Sequence, residues 1–151
     1  MHVLPGNAGI PGSQTTISAT DFPAIQDFCH QYGVKLIVVG PEAPLAAGVV
    51  DFFQGTDIRV FGPSRAGAVL ESSKVWSKDF MRRHGVATAQ SWKFRSDQLD
   101  IARAKAAELS GQVVVKYDGL AAGKGVYVCS SVAEAEEALR SLQAEHTGWF
   151  S

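Results

Sequence analysis

The sequence predicts an α/β protein: a partial doubly wound parallel sheet, followed by a second unit built around an antiparallel hairpin. Two short β-branched runs, Lys35-Leu-Ile-Val-Val-Gly40 and Asp57-Ile-Arg-Val-Phe61, each lead into Gly-Pro and are separated by a helical stretch. That order, with short connections, is the pattern of a βαβ unit. Farther on, Gln112-Val-Val-Val-Lys-Tyr117 and Val126-Tyr-Val-Cys129 flank a glycine-rich turn, which reads as a hairpin. Apolar residues make up 46% and charged residues 19% of the 151 residues, a globular composition long enough for one ordinary domain or two small ones.

Taken in order, a first helix is capped by Asp21, carries Phe22, Ile25, Phe28 and Cys29 along one side, and closes at Gly33. The run at 35–40 reads as a central parallel strand buried on both faces. Pro44 suits a first helical turn, and Leu45, Val49, Phe52 and Phe53 follow at helical spacing. After the strand at 57–61, an amphipathic helix is expected over about 66–84, with Lys74, Lys78, Arg82 and Arg83 beside Trp76, Phe80 and Met81. The pattern changes near Gly85. Residues 90–94 alternate like an edge or half-buried strand, and a helix over about 96–109 starts at a serine cap. After the hairpin, Ser131-Val-Ala-Glu134 fits a capping box and opens a last helix to about 144. The chain divides between residues about 74 and 86, giving domains 1–75 and 76–151. The first opens on a loop with no strand before it; the second ends after one hairpin and one helix. Such units leave apolar faces open, so the sequence reads as a fragment that is expected either to self-associate through those faces or to expose them as apolar surface.

A net charge of −1 argues against a nucleic-acid or membrane-surface partner, which would need a basic excess. No apolar run approaches the roughly 20 residues that span a bilayer, and the start has no signal-peptide pattern. A cytoplasmic protein is expected. Cys29 and Cys129, far apart, read as reduced, buried small hydrophobes. His2, His30, His84 and His146 show no metal-ligand spacing, and neither a metal ligand nor a catalytic residue is assigned.

The segment Lys116-Tyr-Asp-Gly-Leu-Ala-Ala-Gly-Lys-Gly125 carries the chemistry. Gly119, Gly123 and Gly125 let backbone N–H groups approach a polyphosphate, while Lys116 and Lys124 add positive charge. The spacing is not that of a P-loop, since Gly119 to Gly123 is one residue short and Gly125 stands in place of the hydroxyl residue. There is no dinucleotide fingerprint. A plain flexible hairpin turn is the competing reading of the glycines.

Five ordered motifs carry a resemblance: Pro5-Gly-Asn-Ala-Gly9, Val39-Gly-Pro-Glu-Ala-Pro-Leu45, Phe61-Gly-Pro63, Leu70-Glu-Ser-Ser-Lys74 and Val115-Lys-Tyr-Asp-Gly-Leu-Ala-Ala-Gly-Lys-Gly-Val126. Together they resemble the glycinamide ribonucleotide synthetase (phosphoribosylamine–glycine ligase) family, ATP-grasp enzymes of purine biosynthesis. The resemblance implies a Rossmann-like pre-ATP-grasp sheet followed by the first part of an ATP-grasp α+β domain. It also implies the family's chemistry: ATP phosphorylates the carboxylate of glycine, and the amine of phosphoribosylamine attacks the acyl phosphate. Carried over, Lys74 and Lys116 reach ATP phosphates, and Gly119, Gly123, Lys124 and Gly125 belong to the loop that closes over them, residues 118–125. Gly6, Asn7, Gly40 and Glu42 line the phosphoribosylamine side.

There are departures. Ser72 stands where glycine is usual, Tyr117 where alanine is usual, and Val86-Ala87 where Ile-Pro is usual. The family's opening strand with its Gly-Gly-Arg-Glu-His segment, its adenine strand, its Glu and Asn ligands for Mg2+ (or Mn2+) and its glycine-binding arginine region have no counterpart in these residues. Two other readings stay open. One is another ATP-grasp carboxylate–amine ligase, such as a biotin-carboxylase-like one, against which the Asn-Ala-Gly and Gly-Pro-Glu-Ala-Pro loops argue. The other is a non-catalytic remnant that binds nucleotide or a partner chain. The resemblance predicts no ligase turnover by these residues alone. Phosphate release from ATP that depends on glycine and phosphoribosylamine is the measurement, and release above a no-enzyme control overturns the prediction.

Overall fold

The computed structural model describes residues 1–10, 16–121, 124–145 and 148–150. Contacts divide the chain into Met1–Val69 and Leu70–Ser151, whereas the sequence reading divides it after residue 75.

In the first unit, helix α1 (Phe22–Tyr32) starts where the Asp21 carboxylate accepts the Ala24 N–H at 3.2 Å, and ends at Gly33 with φ of 64°. Strands β1 (Leu36–Val38) and β2 (Arg59–Phe61) pair in parallel, with Leu36 opposite Arg59 and Val38 opposite Phe61. Between them the chain forms two short helices, α2 (Glu42–Ala47) and α3 (Val49–Phe52). The sequence spacing suggested one continuous helix here. Gly48, at φ of 95°, breaks it. Ile25 and Cys29 of α1 meet Val49, Phe53 and Ile58 in a core that Ile37 and Val60 cover from the sheet.

The expectation that the 35–40 strand is buried on both faces does not hold. Leu36 is 58% exposed, Val38 68% and Phe61 71%. Among the described residues the sheet of this unit has two strands, and the helical residues of its core pack against the side that carries Ile37 and Val60. Alternate residues therefore face out.

Helix α4 (Arg65–Ser72) crosses the division and helix α5 (Lys74–Arg83) follows it. The single helix expected over 66–84 is thus two helices, because Ser73 is extended (φ −133°, ψ 113°) and its hydroxyl accepts the Trp76 N–H to start α5 afresh. The strand expected at 90–94 is reduced to β3 (Phe94–Arg95), which pairs antiparallel with β6 (Trp149–Phe150). Ser96 does not cap the next helix. Residues Ser96–Gln98 form a 3-10 turn, in which the Gln98 side chain accepts the Arg95 N–H, and α6 (Leu99–Glu108) begins after it.

The hairpin forms as expected, with β4 (Gln112–Lys116) antiparallel to β5 (Val126–Ser130) and Lys116 opposite Val126. Helix α7 (Val132–Glu145) then buries Ala135, Ala138, Leu139 and Leu142. That spacing is one helical stripe. It meets Ala102 and Ala106 of α6 and Val115 and Cys129 of the hairpin in a single core. At its start the Ser131 hydroxyl accepts the Glu134 N–H, while the Glu134 carboxylate accepts from the N–H and hydroxyl of Ser130. The Ser130 N–H is the main cause that holds the Glu134 carboxyl below its ordinary range. Both cysteines are unpaired and buried, one in each core, and burial pushes both thiols up. No helix among the described residues is long and apolar enough to cross a membrane.

Phe53, 2% exposed, and Phe61, 71% exposed, give opposite expectations within one unit. Phe53→Ala should cost roughly 3–5 kcal/mol, as a large-to-small core change does. Phe61→Ala should cost under about 1 kcal/mol, as surface changes do. Urea unfolding of the two variants checks the ordering, and equal costs would refute the open face.

Candidate functional site

The second unit brings together residues that lie 45 positions apart in sequence. Lys74, the first residue of α5, donates from Nζ to the Gly119 carbonyl at 2.9 Å. On either side of it, Ser73 and Val75 both donate to Asp118. The Ser73 hydroxyl lies 3.0 and 3.2 Å from the two carboxylate oxygens, and the Val75 N–H reaches Oδ1 at 3.0 Å. Asp118 therefore satisfies one of the first-turn N–H groups that a helix cannot pair internally. These groups are all partly buried, where such bonds are exchanged with water less freely than on an open surface.

The glycine loop leaves β4 at Lys116, which is half-buried at the strand end. The Tyr117 N–H donates to the Gly125 carbonyl at 2.8 Å and closes the base of the loop, and the Lys124 N–H donates to the Ala121 carbonyl at 2.8 Å. Lys124 itself is exposed. Gly119, at φ of 144°, and Gly125, at φ of 70°, hold conformations that residues with a Cβ rarely adopt. Space is short as well: a Cβ on Gly119 would lie 2.8 Å from the Tyr117 ring, and one on Gly125 would lie 3.0 Å from the Tyr117 Cβ. Gly123 lies outside the described residues.

The other expected residues belong to the first unit. Gly6 has φ of 76°, and the Asn7 side-chain oxygen accepts the Gly9 N–H at 2.9 Å, so Asn7 folds its own loop. Gly40 follows the carboxyl end of β1, where a Cβ would meet nothing within 4 Å, and Glu42 is the first residue of α2. The carboxyl ends of parallel strands are where such sheets bind ligands. Among the described residues no hydrogen bond ties the Gly6–Asn7 turn to Gly40 or Glu42. Gly62, at the end of β2, serves packing instead: a Cβ there would lie 2.6 Å from Leu45 Cδ2.

Sequence reasoning found Lys74 and Gly119 but missed Ser73 and Asp118, which join them. The signal for Ser73 was a serine inside a supposed helix, since serine favours caps over helix interiors. Nothing local marked Asp118. Among the described residues no cluster of His, Cys, Asp and Glu is placed to hold a metal ion. What the arrangement offers is ammonium groups beside a glycine loop, the means by which proteins hold polyphosphate.

A parallel two-stranded α/β unit, then a helix-backed hairpin with a lysine-bearing glycine loop, is an arrangement of the ATP-grasp class. Residues 1–71 match the phosphoribosylglycinamide synthetase N domain, and residues 72–149 match the ATP-grasp (A) domain of the same synthetase. The chain belongs to the phosphoribosylglycinamide synthetase family. It is 45% identical over 148 residues to the phosphoribosylamine–glycine ligase of Escherichia coli O6:H1, covering 95% of this chain and 34% of that protein. To the ligase of Haemophilus influenzae it is 44% identical over 146 residues, covering 94% of this chain and again 34% of that protein. The chain thus spans about a third of the length of these curated relatives. Among solved structures, the phosphoribosylamine–glycine ligase of Thermotoga maritima superposes with a TM-score of 0.69 at 29% identity, over 99% of this chain and 36% of that one. The biotin carboxylase domain of the Hydrogenobacter thermophilus 2-oxoglutarate carboxylase, solved with MgADP and bicarbonate, shares the fold. Its TM-score is 0.68 at 20% identity, over 91% of this chain and 33% of that one.

The contact between Tyr117 and Gly119 yields a stability test. Gly119→Ala should destabilise the chain by about 1–3 kcal/mol through backbone strain and the clash with the ring. In a Tyr117→Ala background the clash is gone and the penalty should shrink to its backbone part. Urea unfolding of the wild type, both single variants and the double variant checks this, and equal penalties in both backgrounds would refute a ring contact.

Proposed function

We propose that this chain supplies the triphosphate-holding loop and the phosphoribosylamine-side loops of an ATP-dependent ligase. That ligase joins glycine to 5-phosphoribosylamine and releases glycinamide ribonucleotide, ADP and phosphate in the cytoplasm. The observation that carries the reading is the meeting of Lys74 with Gly119 at the mouth of the glycine loop. Family membership and the names of the relatives support it.

In this reading the Lys74 and Lys116 ammonium groups neutralise phosphate oxygens, as flexible point charges can. The loop from Gly119 to Gly125 brings backbone N–H groups and Lys124 close to the same anion. Gly6, Asn7, Gly40 and Glu42 line the amine substrate at the strand end. Magnesium would supply charge neutralisation of the phosphate in such chemistry. The described residues offer no ligand set for it. The work assigned to this chain is binding, orientation and charge neutralisation of the reacting phosphate.

A chimera tests the whole reading. Residues 1–151 replace the matching third of the Escherichia coli relative, and phosphate release from ATP that depends on glycine and phosphoribosylamine is measured. Turnover is expected, and a folded but inert chimera would overturn the assignment. Within the chimera, Lys116→Ala should weaken ATP use by roughly 1.5–3 kcal/mol, the value of a charge-assisted hydrogen bond. ATP use unchanged from the parent chimera would remove Lys116 from the site.

A further inference from the structure

We propose that Asp118 is a positioning residue: it pins the backbone on both sides of Lys74, so that the Lys74 ammonium is delivered to the opening of the glycine loop, where a polyphosphate would take it. The inference rests on the reading of that loop as a triphosphate holder, and goes beyond it by naming the group that sets Lys74.

The geometry is specific. Lys74 is the first residue of α5 and has a long stem with several rotatable bonds. Its position is fixed only as well as the backbone beneath it. The residue before it donates a hydroxyl hydrogen to Asp118, and the residue after it donates its backbone N–H to the same carboxylate. The Ser73 oxygen at the same time accepts the Trp76 N–H at 3.0 Å, so its single hydrogen is free for Asp118. Asp118 is the immediate neighbour of Gly119, whose carbonyl accepts from Lys74 Nζ. Helix start and loop opening are thereby one rigid piece, and Lys74 crosses from one to the other.

Charge points the same way. A cation at a helix N-terminus is disfavoured by the helix dipole, and an anion there is favoured. Helix α5 has no acidic residue of its own in its first turn. Asp118 is the carboxylate that occupies this helix start. When an anion takes Lys74, the ammonium exchanges the Gly119 carbonyl for a phosphate oxygen while the backbone pin stays in place. A local acid in the first turn of α5 would offset the dipole equally well, but it would not tie the helix to the loop.

The test uses the full 151-residue chain, with ATP and inorganic tripolyphosphate titrated separately by calorimetry. The proteins are the wild type, Asp118→Ala, Asp118→Asn, Lys74→Ala and the double variant Lys74→Ala/Asp118→Ala, each first shown to unfold cooperatively. Asp118→Ala should weaken both ligands about tenfold, the scale of lost hydrogen bonds to a charged group. In the Lys74→Ala background the same change should weaken them less than about twofold, because the pin then has no lysine to position. Asp118→Asn keeps an oxygen for the Val75 N–H and should recover most of the loss. Equal losses in both backgrounds, or no loss on Asp118→Ala, would overturn the proposal. Failure of the wild type to bind either ligand would overturn the triphosphate reading and, with it, the role given to Lys74. The pin is then judged separately by amide exchange: Val75 should exchange faster in Asp118→Ala, and an unchanged rate would show that the pin does not hold.

Discussion

One carboxylate decides where helix α5 begins and where the glycine loop departs. Asp118 accepts from Ser73 and Val75, and the helix and the loop cannot shift independently while it does so. The position of Asp118 is itself inherited. It follows Tyr117, whose N–H is held by Gly125 across the hairpin, and Val115, which is buried in the core beneath α7. Dependence therefore runs from core to strand, from strand to carboxylate, and from carboxylate to the lysine.

The closeness of that packing comes from small residues. Ala102 and Ala106 of α6 meet Ala135 and Ala138 of α7 in one core, and short side chains let two helices approach. Gly111, at φ of 72°, carries the chain from α6 into β4. A Cβ there would fall 2.0 Å from the Ser131 carbonyl carbon and 2.2 Å from the Val132 nitrogen. Both the dihedral and the approach demand glycine. The start of the hairpin is thus pressed against the start of α7, and this sets the height at which β4 ends in Lys116. The apolar area buried in this small core is modest, so its stability depends on fit more than on bulk.

Periodicity made the fold legible wherever a stripe or an alternation had local caps. Asp21 and Gly33 bracket α1 as the sequence suggests, and Ser131 with Glu134 opens α7. The hairpin was readable because glycines separate two β-branched runs. The failures share a cause in contacts between distant residues. The α4–α5 break was hidden because apolar spacing stays helical on both sides of Ser73, and its reason, Asp118, is 45 residues away. Residues 90–93 alternate but lack strand pairing, since the pairing partners of β3 are Trp149 and Phe150, near the other end of the unit. The exposed face of β1 follows from the side on which the described core packs, a tertiary fact that no window of sequence contains. At the site, the glycines and lysines announced themselves by type and spacing, Lys74 only through a family motif, and the Ser73–Asp118 link not at all.

The way the helices begin divides them into two groups. Glu42 in α2, Asp51 in α3, Asp100 in α6 and Glu134 in α7 each place an acid in the first turn, the arrangement that the helix dipole favours. Helices α4 and α5 do the reverse, with Arg65 and Lys74 at their first positions and no acid in their first turns. Asp51 accepts the Arg65 N–H at 2.7 Å at the start of α4, and Asp118 accepts the Val75 N–H at the start of α5 from a loop far along the chain. Beside it sit two glycines with positive φ, one of them crowded by an aromatic ring. Natural sequences obey local rules except where function requires otherwise, and here several departures meet at one point. At α5 the cost of a cation at a helix start, a few tenths to about 1 kcal/mol, is offset by Asp118 rather than by an acid of the helix's own.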